Sequence, residues 1–285
     1  MANKQQNPLS AYFRAPKLYT QIPSGGKYYT PDIVEMPDTG ELPVFAMTSK
    51  DEMIMKNPDA LLNGEAVVQV IQSCIPNIKN AWAVPSIDID AILIAIRLAT
   101  YGEIMEMSIT VPGIEEERSF ELDLRTLLDT LTSQQFENLI QMDGYTVEIA
   151  PLTYKEFTET AMKTFEEQRL FKVINDDAMP ETEKLKLFNE SFGRLTDLNI
   201  NTVIKSVKCV TFDGEQPVTN QQHIAEFFEN ADKSVFKSVI DHIDAQRAKF
   251  NVKPMTVSLS EEDVANGAPE TIEVPIVFDQ SNFFA

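Results

Sequence analysis

The chain has 285 residues, 43% of them hydrophobic, with two cysteines and a formal net charge of −20. That length buries an ample core without staples, and Cys74 and Cys209, 135 positions apart, fit neither a metal knuckle nor a disulfide framework, so both thiols read as small buried hydrophobes in a reducing compartment. The acid excess repels phosphates and the bases are too sparse for a stripe, which argues against nucleic acid; with no apolar leader and no run near the ~18 apolar residues of a membrane span, the chain reads as soluble and intracellular.

Residues 1–31 hold Lys4, Arg14, Lys17 and Lys27 and no acid, so this stretch is +4 and the remainder −24. Pro8, Pro16, Pro23, Pro31, Pro37 and Pro43 recur too often for a helix, and residues 1–45 read as an extended basic N-terminal arm. Within it lies Gln21–Tyr29, QIPSGGKYY. A glycine pair marks a backbone that turns with positive φ or lets something approach closely. Two readings follow. In one, Pro23, Gly25, Gly26 and Lys27 turn the arm against another protein, and Tyr28 and Tyr29 are its aromatic anchors. Truncation of residues 1–29 then leaves a folded protein that no longer assembles. In the other, the glycines shape an internal turn and the tyrosines are core.

Residues 46–250 read as a mainly helical body. Ser49–Glu52 (SKDE) is a capping box that starts a helix near Lys50. Asn57-Pro58 interrupts it, and Asn63-Gly64 ends the next turn. From Glu65, Val67, Val70, Ile71 and Cys74 recur at helical spacing up to Pro76. Ser86 or Asp88 can cap the following helix, IDIDAILIAIRLATYG, which is apolar almost all round, stops at Gly102 and belongs in the centre of the core.

The period then changes to two. Met105, Met107, Ile109 and Val111 alternate with polar residues, and the alternation resumes at Phe120, Leu122 and Leu124, giving an inserted hairpin near 103–124 with the acidic tip Glu115-Glu116-Glu117. A helix over Leu127–Ile140 follows, and Asp143-Gly144 turns into a strand over Tyr145, Val147 and Ile149. Thr153–Glu156 is a second capping box, opening a helix with Phe157, Ala161 and Phe165 at i+4 steps. Pro180 suits the start of another, with a face of Leu185, Phe188, Phe192 and Leu195. A third box, Thr219–Gln222, precedes HIAEFF, and Val235, Phe236, Val239, Ile240 and Ile243 form a clear stripe. Residues 251–285 read as an extended or β C-terminal tail, with an edge strand over Thr271–Phe278 that carries Pro275. The class is α+β, helix dominated, with a small inserted β-hairpin and extended arms at both ends.

Candidate chemistry is sparse. His223 and His242 are the two histidines, and neither lies near a cysteine or the other at ligand spacing. No nucleophile elbow, phosphate loop or dinucleotide fingerprint occurs. Asp88-x-Asp90 has the spacing for a divalent cation, and so for a metal-dependent hydrolase, but more simply caps a helix and complements its dipole. The three adjacent glutamates share water rather than splitting their pKa values. Neither an enzyme nor a bound cofactor is expected.

Ile22-Pro23-Ser24-Gly25-Gly26-Lys27-Tyr28-Tyr29, Met47-Thr48-Ser49-Lys50-Asp51-Glu52, Asn57-Pro58-Asp59-Ala60-Leu61-Leu62-Asn63-Gly64, Ser73-Cys74-Ile75, Ile96-Arg97 and Thr100-Tyr101-Gly102, in that order, resemble the T-even bacteriophage baseplate protein family. The closing Phe278-Asp279-Gln280-Ser281-Asn282-Phe283-Phe284 is similar to that family's aromatic tail, while residues 125–270 match in character only. A Cys-Pro-x-Cys pair of some relatives is replaced here by Val111-Pro112-Gly113-Ile114, so a metal knuckle is not carried over. The resemblance implies a structural component of a phage tail baseplate or hub, located in the virion tail and assembled in the host cytoplasm. Its partners would be other tail or baseplate proteins in an oligomeric assembly, reached through Pro23, Gly25, Gly26, Lys27, Tyr28, Tyr29, Phe283 and Phe284. The alternative is a tail assembly chaperone for tape-measure or hub proteins that the virion does not retain. Its acidic helical body and methionine-rich faces suit a holder of hydrophobic helices.

Overall fold

The structure, a computed structural model, describes residues 9, 12–111, 114, 117–174 and 180–276. Its architecture is the expected helix-dominated α+β, with small separate sheets of two or three strands among the described residues. Strand β1 (Pro16–Thr20) pairs antiparallel with β2 (Leu42–Phe45), and the register shifts between Pro16 and Leu18, where the proline has no N–H to give the ladder. Arg14, just before β1, donates to the carbonyls of Ala46 and Ser73 and to the Ser73 hydroxyl, and its guanidinium stands 3.4 Å from Asp51. The stretch from Arg14 onward is thus bound into the body, and a truncation that the fold tolerates has to end before it.

Helix α1 (Ser49–Met55) begins one residue earlier than the expected box. Thr48 is the N-cap and Asp51 closes the box, its carboxylate accepting from the Thr48 N–H at 2.7 Å. The shorter acid takes this place because it also meets Arg14, in a site where Asp51 is buried. Asn57 caps α2 (Pro58–Leu62), and Gly64 passes the chain into α3 (Glu65–Cys74). After a 3-10 turn at Ala81–Ala83 comes α4 (Ser86–Tyr101), the axis of the first core, with 11 of its 16 residues buried. Its N-cap is Pro85, which offers no side-chain bond, so neither Ser86 nor Asp88 caps it.

The inserted hairpin is β3 (Ile104–Thr110) against β4 (Glu117–Asp123). Of its acidic tip, Glu115 and Glu116 lie outside the described residues. Asp123 accepts from the N–H groups of Arg125 and Thr126 and starts α5 (Leu124–Thr132), ahead of the expected Leu127. That helix stops at Thr132 rather than Ile140, because Leu139–Met142 satisfies its backbone as strand β5, with Ile140 buried opposite Val147.

Strands β5, β6 (Tyr145–Ile149) and β7 (Val207–Phe212) form an antiparallel sheet in that order. It is the floor of a second core, where Val147, Ile149, Val207 and Val210 meet Ile224 of α8 (Gln221–Asn230) and Val239 and Ile243 of α9 (Lys233–Phe250). Asn220, not Thr219, caps α8, with its side chain accepting from Gln222 and His223. Between β6 and β7 run α6 (Tyr154–Ile174), opened by the expected Thr153–Glu156 box, and α7 (Glu181–Ser206). In the tail, β8 (Met255–Ser258) pairs with β9 (Thr271–Val274) around α10 (Glu261–Ala265), and a 2.7 Å Arg118–Asp263 ion pair ties it to β4. Strand β9 ends before Pro275, and Phe278 lies outside the described residues.

Candidate functional site

The Gln21–Tyr29 segment is two successive tight turns. The Gly25 N–H donates to the Ile22 carbonyl at 2.9 Å, with Pro23 in the position whose fixed φ suits a turn. The Lys27 N–H then donates to the Ser24 carbonyl at 3.3 Å across Gly25 and Gly26, both at positive φ, +59° and +81°. That is the type I′ pattern, which L side chains resist. A Cβ on Gly25 would meet nothing within 4 Å, and one on Gly26 only the Tyr29 hydroxyl at 3.9 Å, so both glycines serve backbone conformation rather than close approach.

One bond fixes the double turn to the body. The Ser24 N–H donates to Asp88 Oδ1 at 2.7 Å, across 64 positions of sequence. Asp88 sits in the first turn of α4 and is fully buried, and among the described residues its Oδ2, the Ser24 hydroxyl beside it and the Tyr29 hydroxyl find no partner at good hydrogen-bond geometry. Burial pushes the Asp88 carboxyl up from the usual 3.8 to about 7, against the opposing effect of Ser24. Burial, followed by the Asp88 charge, likewise raises the Tyr29 phenol. In the sequence Asp88 reads as a cap at a helix start; its full burial, where a carboxylate demands a partner, is what marks it as a tether.

The two tyrosines serve different cores. Tyr29 packs against the first, beside Ile22. Tyr28 meets Phe136 edge-on, with centroids 5.7 Å apart at 80°, and Phe136 lies 6.2 Å from Phe250 at the end of α9. The segment therefore spans the seam between the cores. Clefts flank it on both sides. One of about 550 Å³ is bounded by Lys27, Tyr28, Asn138, Glu148 and Lys208, and one of about 240 Å³ by Pro23, Gly25, Ser133 and Phe136. Pro23 and Ser24 are buried, Tyr28 and Tyr29 half-buried, and Gly25 and Lys27 exposed. The outer face open to another molecule is thus Gly25–Lys27 with the edge of Tyr28. Phe283 and Phe284 lie outside the described residues.

The other candidates stand apart. Asp88 turns to Ser24, whereas Asp90 lines a separate cleft of about 490 Å³ with Tyr154, Phe157, Arg247 and Phe250, where burial pushes its carboxyl to about 6. The two acids do not converge on one ion, and among the described residues no group of three potential metal ligands comes together. His242 Nε2 bonds to the Glu137 carbonyl at 2.8 Å, a tether across the second core, and both cysteines are free and buried. Among the described residues no helix is long and apolar enough to cross a membrane.

Compared with known proteins, the chain matches the family described as T4 bacteriophage base plate protein over residues 17–256. No curated protein and no solved structure matches it.

Proposed function

This chain belongs to the T4 bacteriophage base plate protein family, and from that membership we propose that it is a structural component of the tail baseplate or its hub, acting through contacts with other tail proteins. The observation that carries the reading is the extent of the match, which takes in the buried residues of both cores and the seam between them. The role is non-enzymatic, the place the virion tail, and assembly occurs in the host cytoplasm. Its contacts run through the exposed outer face of the double turn, Gly25–Lys27 with Tyr28, and through Phe283 and Phe284, on a basic N-terminal stretch beside an acidic body. The N-terminal arm of 1–45, which from Arg14 onward is also bound into the first core, and the tail of 251–285 hold the body of 46–250 among its neighbours.

A second reading, a tail assembly chaperone for tape-measure or hub proteins, is supported by exposed apolar residues along α6 and α7, among them Phe165, Leu185 and Phe192. Quantitative mass spectrometry of purified particles separates the two. A fixed number of copies per virion, a multiple of three or six against the tube and sheath proteins, is the expected result. Absence from particles alongside abundance in infected cells would replace the structural reading with the chaperone.

A further inference from the structure

Helices α6 and α7 make an antiparallel hairpin with almost no interior. Between Thr158 and Ile204 the buried side chain among those described is Ser191, a polar one. It donates to Glu167, which also receives Arg194 Nε at 2.6 Å and Nη2 at 3.0 Å. The apolar residues are on the outside: Phe165 is 46% exposed, Leu185 62%, Phe188 44% and Phe192 60%. At ~100° per residue, Phe157, Ala161 and Phe165 stand roughly 80–160° around α6 from Glu167, and Leu185, Phe188 and Phe192 stand roughly 60–120° around α7 from Ser191, in the same rotational sense. In an antiparallel pair, equal rotation away from the contact line brings both stripes onto one face. Phe188 and Phe192 lie 6.4 Å apart with their rings 11° from parallel, so the two stack along this face.

Charge says what covers it. Helix α6 holds four bases (Lys155, Lys163, Arg169, Lys172) and four acids (Glu156, Glu159, Glu166, Glu167), and α7 four bases (Lys184, Lys186, Arg194, Lys205) and four acids (Glu181, Glu183, Glu190, Asp197). Both helices are neutral, so the whole −20 of the chain lies elsewhere. A cationic partner is drawn to the rest of the molecule rather than to this hairpin. The acidic remainder of the body repels the same surface of a second copy, whereas two copies of this hairpin meet without net repulsion, their signs interleaved as in the Lys155–Glu159 and Lys186–Glu190 pairs. We propose that the apolar face of α6 and α7 is the interface of a two-fold dimer, in which two hairpins pack face to face as a four-helix bundle. Two adjacent helices ~30 Å long present on the order of 600 Å² per copy, which reaches the lower end of stable interfaces.

The inference stands independently of the baseplate reading, since it concerns the purified chain alone. Analytical ultracentrifugation of the full chain over a concentration series should give twice the mass of one chain at the upper end. Phe165→Asp with Phe192→Asp should weaken the dimer by about tenfold or more while leaving the far-ultraviolet circular dichroism unchanged, because both positions are exposed. If that double variant loses helical signal, Leu185→Gln is measured in its place against the same criterion. A wild-type chain that is monomeric throughout, including one whose hairpin holds a helix of some other tail protein, overturns the proposal. So does a dimer that persists undiminished in a folded variant. Neither result touches family membership.

Discussion

At the scale of single residues, Asp88 makes the stability of the fold depend on pH. Its folded-state pKa is raised, so the native protein holds the proton more tightly than the unfolded chain. The resulting stabilisation is complete below about pH 4, declines as the pH rises and is gone above about pH 7. Asp88→Asn keeps an oxygen to accept the Ser24 N–H but has nothing to ionise. Its urea midpoint should match that of the wild type near pH 4 and exceed it at pH 8 by the equivalent of about 2–4 kcal/mol. Asp90, also raised, is present in both proteins and cancels in the comparison. Parallel pH profiles for the two would show that Asp88 does not titrate in this window. The same residue marks a limit of sequence reading. An acid at a helix start reads as a cap, and only the return of the chain 64 positions away reveals it as an anchor for another segment.

At the scale of elements, β1 owes its place to a residue outside it. Arg14 joins the approach to β1 to the end of β2, the end of α3 and the first turn of α1 through Ala46, Ser73 and Asp51, and it stands 5.8 Å over the ring of Phe45. Arg14→Ala leaves two carbonyls and a buried carboxylate short of a donor, for a cost of about 2–3 kcal/mol in urea unfolding, and Arg14→Lys recovers only part because it lacks the planar fork. Removal of residues 2–11 should leave the melting temperature within about 2 °C of the full chain, whereas removal through Tyr29 should abolish cooperative unfolding. A cooperative 2–29 truncation would show that β1 is dispensable. The elements themselves were mostly legible where local chemistry decides them. The box at Thr153, the apolar run of α4, the alternation of β3 and β4 and the Asp143-Gly144 turn are all written in nearest neighbours, while the first box lies at Thr48–Asp51, one residue before the expected Ser49–Glu52. Strand β7 and the shift of Ile140 from helix to strand were not, because the first depends on partners such as Val147 for Val210, far away in sequence, and the second on competition for the same backbone. Nor does the spacing of Phe165, Phe188 and Phe192 tell a core-facing stripe from a solvent-facing one.

At the scale of the molecule, two hydrophobic cores meet along a seam that Tyr28 bridges to Phe136 while its neighbour Tyr29 stays in the first core. Trp82, the single tryptophan, stacks on Tyr154 at 5.6 Å and reports on the first core, whereas circular dichroism reports on both. In the wild type the two signals should change together during urea unfolding. In Tyr28→Ala they should separate, with the second core melting at the lower concentration. Coincident curves in the variant would assign the coupling to other contacts. The buried residues of each core come from largely consecutive chain, 22–131 with Tyr154 for the first and 140–243 for the second, and Val252, Met255 and Ile276 of the tail are added to the first later. A ribosome therefore delivers the first core almost whole before the second has begun. The early half can settle while synthesis continues, and Tyr28, among the first residues made, waits for Phe136 to complete the seam. The contact that joins the cores thus forms at the earliest when nearly half of the 285 residues have been made, so the double turn spends the first part of synthesis without its aromatic partner.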